Sequence, residues 1–319
     1  MQRFNEQMKT DQPLSSVASS ISDVERETGL AKETLRVWER RYAFPQPLRD
    51  AAGERSYPAE QVAKLRLVKR LLDLGLRPGK IMHQSMEQLQ ALAAPAPAAP
   101  APGPGPVPAI QALLELCRSQ QAQALRDELS QALSTMGLNR FVIDLAAPLT
   151  TLVGDAWACG QLAVFEEHLY TEALQTVMRN AIFSMPRHAT QLIMPRILLT
   201  TLPQERHGLG LLMAEALCVA EGAHCLSLGV QTPLQDILEA VRTQRADILA
   251  LSFSCAMNPR HVSDSLIELR AKLPAATEIW AGGNNPALHK RPIPFVHLPS
   301  LGGLQAALAN WRLRQAGPM

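Results

Sequence analysis

Aromatic side chains are scarce in this sequence: 4% of its 319 residues are Phe, Trp or Tyr. A place where Trp, Glu and His gather is therefore a local event that needs a reason. Cysteines are few as well. The five (Cys117, Cys159, Cys218, Cys225, Cys255) are an odd number and never form CxxC. This argues against a disulfide framework or a zinc ribbon and leaves buried free thiols as the expected form. No apolar run approaches the ~20 residues that a membrane span needs. The opening stretch, MQRFNEQMKTDQPLSSVASS, lacks the apolar core of a secretory signal. A cytoplasmic protein with no membrane partner is the expectation.

What the chain does have is apolar content, 47%, and enough length for two or three domains. Its net charge is only +2, but unevenly placed. Ile21 to Lys80 holds 13 Lys and Arg against 9 Asp and Glu, out of 31 and 29 in the whole chain, so the basic surplus sits near the N-terminus on a mildly acidic body. That distribution fits nucleic-acid contact by the N-terminal part, and equally a solvated helical face. The clearest boundary is LAAPAPAAPAPGPGPVPAI. Alternating Ala and Pro cannot sustain a helix and favours an extended spacer. We place a polar, disordered N-terminus at 1–19, a DNA-binding domain at 20–90, an Ala/Pro linker at 91–109, a helical bundle at 110–190 and an α/β domain at 195–315.

In the first domain, ISDVERETGLAKETLRVWERRY carries two short helical patterns around Gly29, a helix-turn-helix arrangement. The second helix bears Lys32, Arg36, Arg40 and Arg41. FPQPLRDAAGERSYP then reads as a β-hairpin wing, and PAEQVAKLRLVKRLLDLG as an amphipathic helix. Residues 110 to 185 show helical patterns only: ALLELCRSQQAQALRDELSQAL, NRFVIDLAAPLTTLVGDAW and EEHLYTEALQTVMRNAIFSM. From Pro195 the period changes. RILLTTL, AHCLSLG, DILALSF, EIWAGG and FVHLP read as buried strands alternating with helices, which means a doubly wound, Rossmann-like (flavodoxin-like) parallel sheet. The fold class is thus multidomain α and α/β: winged helix-turn-helix, helical-bundle cap, parallel sheet.

Ligands of such sheets bind outside the carboxyl ends of the strands. Three features fall there. Glu205, His207 and Gly210 form ExHxxG after the first strand. Ser252 and Ser254 end the strand DILALSFS, and Gly282 and Gly283 end EIWAGG. The set resembles the cobalamin-binding domain, whose pattern is DxHxxG, then SxL, then GG at these intervals. This chain has Glu for the usual Asp, and Ser254 where Leu is usual. The resemblance implies cobalamin with its cobalt held from below by His207, Glu205 fixing the imidazole, and the serines and glycines lining a slot for the nucleotide tail. Chemically, a neutral imidazole suits a borderline transition metal and a carboxylate can fix its tautomer. Taken singly, Ser252 also reads as a strand-end cap and Gly282–Gly283 as a tight turn.

The stretch DAWACGQLAVFEEHLYTEAL holds Trp157, Glu167 and His168. On one continuous helix Trp157 and His168 would lie ~16 Å apart. Gly160 is the expected break, a helix C-cap that lets the next helix fold back. The Trp–nine residues–Glu–His spacing resembles the cap of the light-responsive CarH/LitR regulators. By that resemblance Trp157 packs on the adenosyl group of adenosylcobalamin, and Glu167 and His168 line its pocket. In those regulators a histidine directly after the tryptophan can ligate cobalt after illumination; here that position is Ala158. The plain alternative is a core tryptophan and a solvated helix start.

TLRVWERRY, the wing and the Leu-rich helix resemble the MerR family, with Ala43 where family members have the Gly of RYG and Gly53-Glu54-Arg55 where they have GHR. The resemblance implies that Lys32, Arg36, Arg40, Arg41 and Arg55 contact double-stranded operator DNA, with Trp38 in the core. It further implies a repressor, not an enzyme, that binds as a homo-oligomer in the dark, a tetramer built from dimers, under control of adenosylcobalamin and light. The competing reading is a MerR-type regulator with a degenerate cobalamin domain that answers to a protein partner. A cobalamin-dependent mutase or methyltransferase would need a large substrate domain that the sequence does not supply.

Overall fold

The computed structural model describes residues 18–49, 53–73, 76–93, 107–185, 195–289 and 295–316. The expected N-terminal tail falls outside them except for residues 18–19. Of the expected linker, 94–106 fall outside. The chain divides into two compact units, Met1–Pro97 and Ala98–Met319.

The first unit runs β1 (Ser19–Ser20), α1 (Ile21–Thr28), α2 (Lys32–Tyr42), β2 (Leu48–Arg49), β3 (Arg55–Tyr57), α3 (Ala59–Asp73), α4 (Pro78–Ile81) and α5 (Met86–Ala93). Its three strands pair antiparallel in the order β1-β3-β2. Ser20 and Asp23 form a reciprocal capping box at the start of α1, which satisfies orphan amides there. Gly29 ends the helix at φ 70°, its N–H donating to the Glu25 carbonyl. Ala31 offers no capping side chain to α2, so Glu25 reaches over and accepts from the Lys32 amide at 3.1 Å. Val24, Leu35, Trp38, Tyr57, Val62, Leu65 and Val68 form the buried interior, and an Arg66–Glu27 ion pair ties α3 to α1. Helix α2 ends on Ala43 at φ 53°. A methyl in the left-handed region costs on the order of 1 kcal/mol, a cost that a glycine at this position would not carry.

The second unit opens with helices: α6 (Val107–Arg118), α7 (Ala122–Met136), α8 (Leu138–Arg140), a π-helical stretch (Phe141–Ala146), α9 (Ala147–Ala158) and α10 (Val164–Ser184). The single helical run expected from ALLELCRSQQAQALRDELSQAL is in fact two helices. The break is at Gln120, φ 58°, with Gln121 N–H returning to the Leu116 carbonyl. The sequence conceals it because the buried Leu114, Cys117, Leu125 and Leu129 keep one helical phase across the turn. The π-helical stretch directly precedes Pro148 in the first turn of α9. Proline has no N–H for an α-type bond at that point, and a widened turn absorbs the defect. Leu138–Ala158 is continuous enough, at 21 residues, and apolar enough to span a membrane by length and composition. Its buried Phe141, Val142, Leu145, Leu149 and Val153 instead form the bundle core.

The α/β part then follows as β4 (Arg196–Thr200), α11 (Leu209–Ala220), β5 (His224–Gly229), α12 (Leu234–Gln244), β6 (Ile248–Phe253), α13 (Pro259–Lys272), β7 (Glu278–Gly283), β8 (Val296–Leu298) and α14 (Leu304–Gln315). The five strands are parallel in the order β5-β4-β6-β7-β8. Alternate residues feed two cores, as a sheet buried on both faces requires. Ile197, Leu199, Ile248, Ala250 and Trp280 face α11, α14 and the helical bundle. Leu198, Leu249, Leu251, Phe253, Ile279 and Ala281 face α12 and α13. The bundle and the sheet therefore share one continuous core, which reaches from Tyr170, Leu174 and Met178 of α10 to Leu211 and Leu212 of α11. The chain runs outward from β4 in one direction to β5 and in the other to β6. The crevice between the loops after β4 and β6 is the topological switch point, where ligands of this architecture sit.

Candidate functional site

Both loops at that switch point converge on one buried carboxylate. Glu205 has a side chain 1% exposed. Its Oε1 accepts from the His207 amide at 3.0 Å and faces His207 Nδ1 at 2.7 Å, and its Oε2 accepts from the Ser254 amide at 2.7 Å. Burial pushes its pKa up, but the hydrogen bonds from His207 and Ser254 outweigh burial and hold it below the ordinary carboxylate value. An ionised carboxylate only accepts. Nδ1 of His207 therefore carries the hydrogen, which leaves Nε2 as the metal donor of this ring whenever the imidazole is neutral. The imidazole itself stands 68% exposed at the sheet edge.

The loop under this pair is fixed from its other side. Thr201, fully buried, donates through Oγ1 to the Glu205 carbonyl at 2.9 Å and accepts from the Gln231 amide at 2.8 Å. Thr200 shares a 2.7 Å hydroxyl pair with Thr232. The loops after β4, β5 and β6 thus form one hydrogen-bonded rim, and an oriented imidazole is what it holds outward.

The remaining sheet-edge residues fall into place around it with different duties. A Cβ on Gly210 would meet Ser252 Oγ at 3.4 Å, so the first turn of α11 lies close over the end of β6. Ser254 Oγ accepts from the Ala256 amide at 3.3 Å, a turn-closing role. Gly283 has a reason of its own. At φ 108°, a Cβ there would stand 2.1 Å from the Phe253 carbonyl oxygen, whereas one on Gly282 would find only ordinary contact, 3.5 Å from the Leu298 oxygen. Gly283→Ala is therefore expected to destabilise the protein by on the order of 3 kcal/mol and Gly282→Ala by about 1 kcal/mol or less. Urea unfolding of the two variants checks the contrast.

Sequence reasoning missed Asn284 and Asn285. Asn284 Oδ1 accepts from the Cys255 amide at 2.8 Å, and Asn285, fully buried, donates to the carbonyls of Ser254 and Met257 at 2.8 and 3.0 Å. They stitch the loop after β7 to the loop after β6. The available signal was two amides directly after the double glycine.

In the helical part, α9 ends as Gly160 predicts. Gly160 takes φ 72°, its N–H reaches the Trp157 carbonyl, and Gln161 N–H reaches Ala156. Glu166 caps α10 by accepting from the Ala163 amide at 2.8 Å. Glu167 accepts from Thr171 Oγ1 at 2.7 Å and faces His168 Nδ1 at 2.6 Å. The structure thus joins Glu167 to His168 and places Trp157, half-buried against the shared core, at the foot of the preceding helix. Ala158 is 8% exposed.

The five cations expected on DNA divide into two kinds. Arg36, Arg40 and Arg41 are exposed along α2, with Arg36 paired to Glu33 at 3.6 Å and Arg41 over the Tyr42 ring. Lys32 and Arg55 are only partly exposed and engaged within the fold, Lys32 with Glu25 at 3.6 Å and Arg55 with Glu39 at 3.0 Å. Arg55 joins the wing to α2, and that hydrogen bond raises its pKa further. Arg49, which the sequence pattern did not single out, is exposed on β2 and donates to the Gly53 carbonyl at 2.8 Å.

Residues 19–84 match the family described as MerR HTH family regulatory protein, and residues 109–181 match the B12 binding domain. The chain is 29% identical over 269 residues to the HTH-type transcriptional repressor CarH of Myxococcus xanthus, which covers 82% of this chain and 87% of that protein. It is 27% identical over 279 residues to the repressor CarA of the same organism, covering 86% and 89%. Among solved structures, the monomethylamine corrinoid protein of Methanosarcina barkeri aligns with a TM-score of 0.50 and 14% identity over 62% of this chain and 96% of its own. That last likeness is one of fold.

Proposed function

We propose that this chain, which joins a MerR-type helix-turn-helix to a B12-binding segment, is a transcriptional repressor in the cytoplasm whose grip on operator DNA is set by adenosylcobalamin and light. The observation that carries the proposal is the oriented His207. The buried Glu205 faces Nδ1 and orients the exposed ring at the switch point, and the other nitrogen of a neutral imidazole is the donor a cobalt centre takes.

In this reading His207 would ligate the cobalt of cobalamin, with Glu205 as its orienting partner. Gly210, Ser252, Ser254, Gly282 and Gly283 border the nucleotide tail. Trp157, Glu167 and His168 would enclose the adenosyl group. Adenosylcobalamin, when bound, supplies a cobalt–carbon bond that light breaks. Both curated relatives are named transcriptional repressors, which supports the cofactor as a signal rather than a reagent.

A single small helix with three exposed arginines binds DNA weakly by itself. Useful affinity then requires several copies on repeated sites, so the binding species is a homo-oligomer formed with the cofactor in the dark. The test is DNA binding by the full chain with adenosylcobalamin, in the dark and after illumination, across a salt series. Expected are steep weakening with salt, release on illumination, and loss of about two phosphate contacts' worth of salt slope in Arg40→Ala/Arg41→Ala. Equal binding in dark, light and without cofactor would overturn the proposal. An unchanged slope in the double variant would move the DNA contacts off α2.

A further inference from the structure

Helix α2 buries Leu35 and Trp38. Helical spacing then turns Glu33, Arg36, Val37 and Arg40 to the opposite side, and all four are exposed. Val37 stands out among them. It is 43% exposed, so it adds little to the core, and a β-branched residue is a poor choice for an exposed helix interior. A single exposed aliphatic side chain is ordinary on most surfaces. Here it sits between arginines one residue before and three residues after it, on a face that otherwise carries only charge.

That set matches what the edges of base pairs offer in a major groove wide enough for an α-helix. Arginines donate to guanine O6 and N7, a carboxylate accepts from cytosine N4, and an apolar group meets the C5-methyl of thymine. Arg36 supplies the donors, and Glu33, 3.6 Å from it, an acceptor. Only Val37 supplies the apolar contact among these four. We propose that Val37 is a specificity-determining residue whose methyl groups read a thymine methyl in the operator; this rests on the DNA-binding reading above. The occupant of this face is double-stranded DNA because the arginines around Val37 complement phosphate and guanine, while one isolated valine is too small an apolar area to hold a protein partner.

The experiment begins by selecting bound sites from random duplexes with the full chain, loaded with adenosylcobalamin in the dark. Each thymine of the selected site is then replaced by deoxyuridine, which removes the C5-methyl alone, and binding is measured for wild type and Val37→Ala. Alanine is the better helix former, so the variant keeps its fold. At one thymine per half-site, deoxyuridine should weaken wild type about fourfold, the worth of one buried methyl. It should leave Val37→Ala unchanged at that thymine only. A selected site whose deoxyuridine series is the same in both proteins overturns the role of Val37 and leaves the regulator reading intact. A Val37→Ala protein altered in self-association and not in base preference overturns that role as well. Failure of wild type to select any sequence overturns the regulator reading, and this inference with it.

Discussion

His207→Ala is expected to lose adenosylcobalamin affinity by on the order of a hundredfold or more. Partners that merely orient a metal-binding histidine are worth about 10–100-fold, and the ligand itself should be worth at least the upper end. Because the imidazole is 68% exposed, its removal leaves no cavity and the unloaded variant should keep wild-type helix content, while the buried Glu205 loses its Nδ1–H partner, so the unfolding midpoint should fall by the worth of about 1–3 kcal/mol. Glu205→Gln is the companion. It retains an oxygen that can accept from an N–H but removes the charge that now faces three N–H donors from inside the protein, so an intermediate loss of about tenfold is expected. Titration in the dark, followed by absorbance, gives affinity and the cobalt spectrum together. Wild-type affinity with an unchanged spectrum in His207→Ala would remove His207 as the lower ligand.

The strands were readable because a sheet covered on both faces leaves continuous apolar runs, as in Ile248–Leu251 and Ile279–Ala281. Gly160 announced its turn because only a left-handed residue ends a helix that way at no steric cost. Gln120 and Ala43 take the same conformation without being glycine, so composition gave no warning of the break between α6 and α7. At the rim, the spacing of the motifs placed Glu205, His207, Ser252 and Ser254 at strand ends. It did not show that the Glu205 carboxylate binds both the histidine and the amide of Ser254, 49 residues beyond Glu205. Such a bond is tertiary: it depends on the parallel pairing of β4 with β6 and leaves no local pattern. The division of the cations was hidden for the same reason. Glu39 claims Arg55 across 16 residues, and only the fold brings them together.

Illumination is expected to leave wild type with a loosely held cofactor, and Ala158→His with a tightly held one. The residue after the cap tryptophan is where the CarH/LitR resemblance places an upper nitrogen donor, and here it is a methyl group. Cys159 is next in the chain, but one residue along a helix turns the side chain by about 100°, and its backbone is already in the terminal turn that Gly160 closes. His168 faces Glu167 through Nδ1, the same kind of pairing that orients His207, so it is the alternative donor that the measurement has to separate. If His168 stays in its pair with Glu167, His207 alone would hold cobalt after the adenosyl group is lost, so the illuminated wild type should release cobalamin on dialysis while the dark form keeps it. Ala158 is 8% exposed, so a histidine there needs the cap to loosen before its ring can swing in. Ala158→His should therefore match wild type in dark affinity within about threefold, a cost of less than 1 kcal/mol, and separate from it only after light. The measurement is the absorbance spectrum after illumination and the cobalamin retained after dialysis, for both proteins. A stable spectrum of two axial histidines in wild type would overturn the idea, and the same spectrum lost in His168→Ala would identify His168 as the donor.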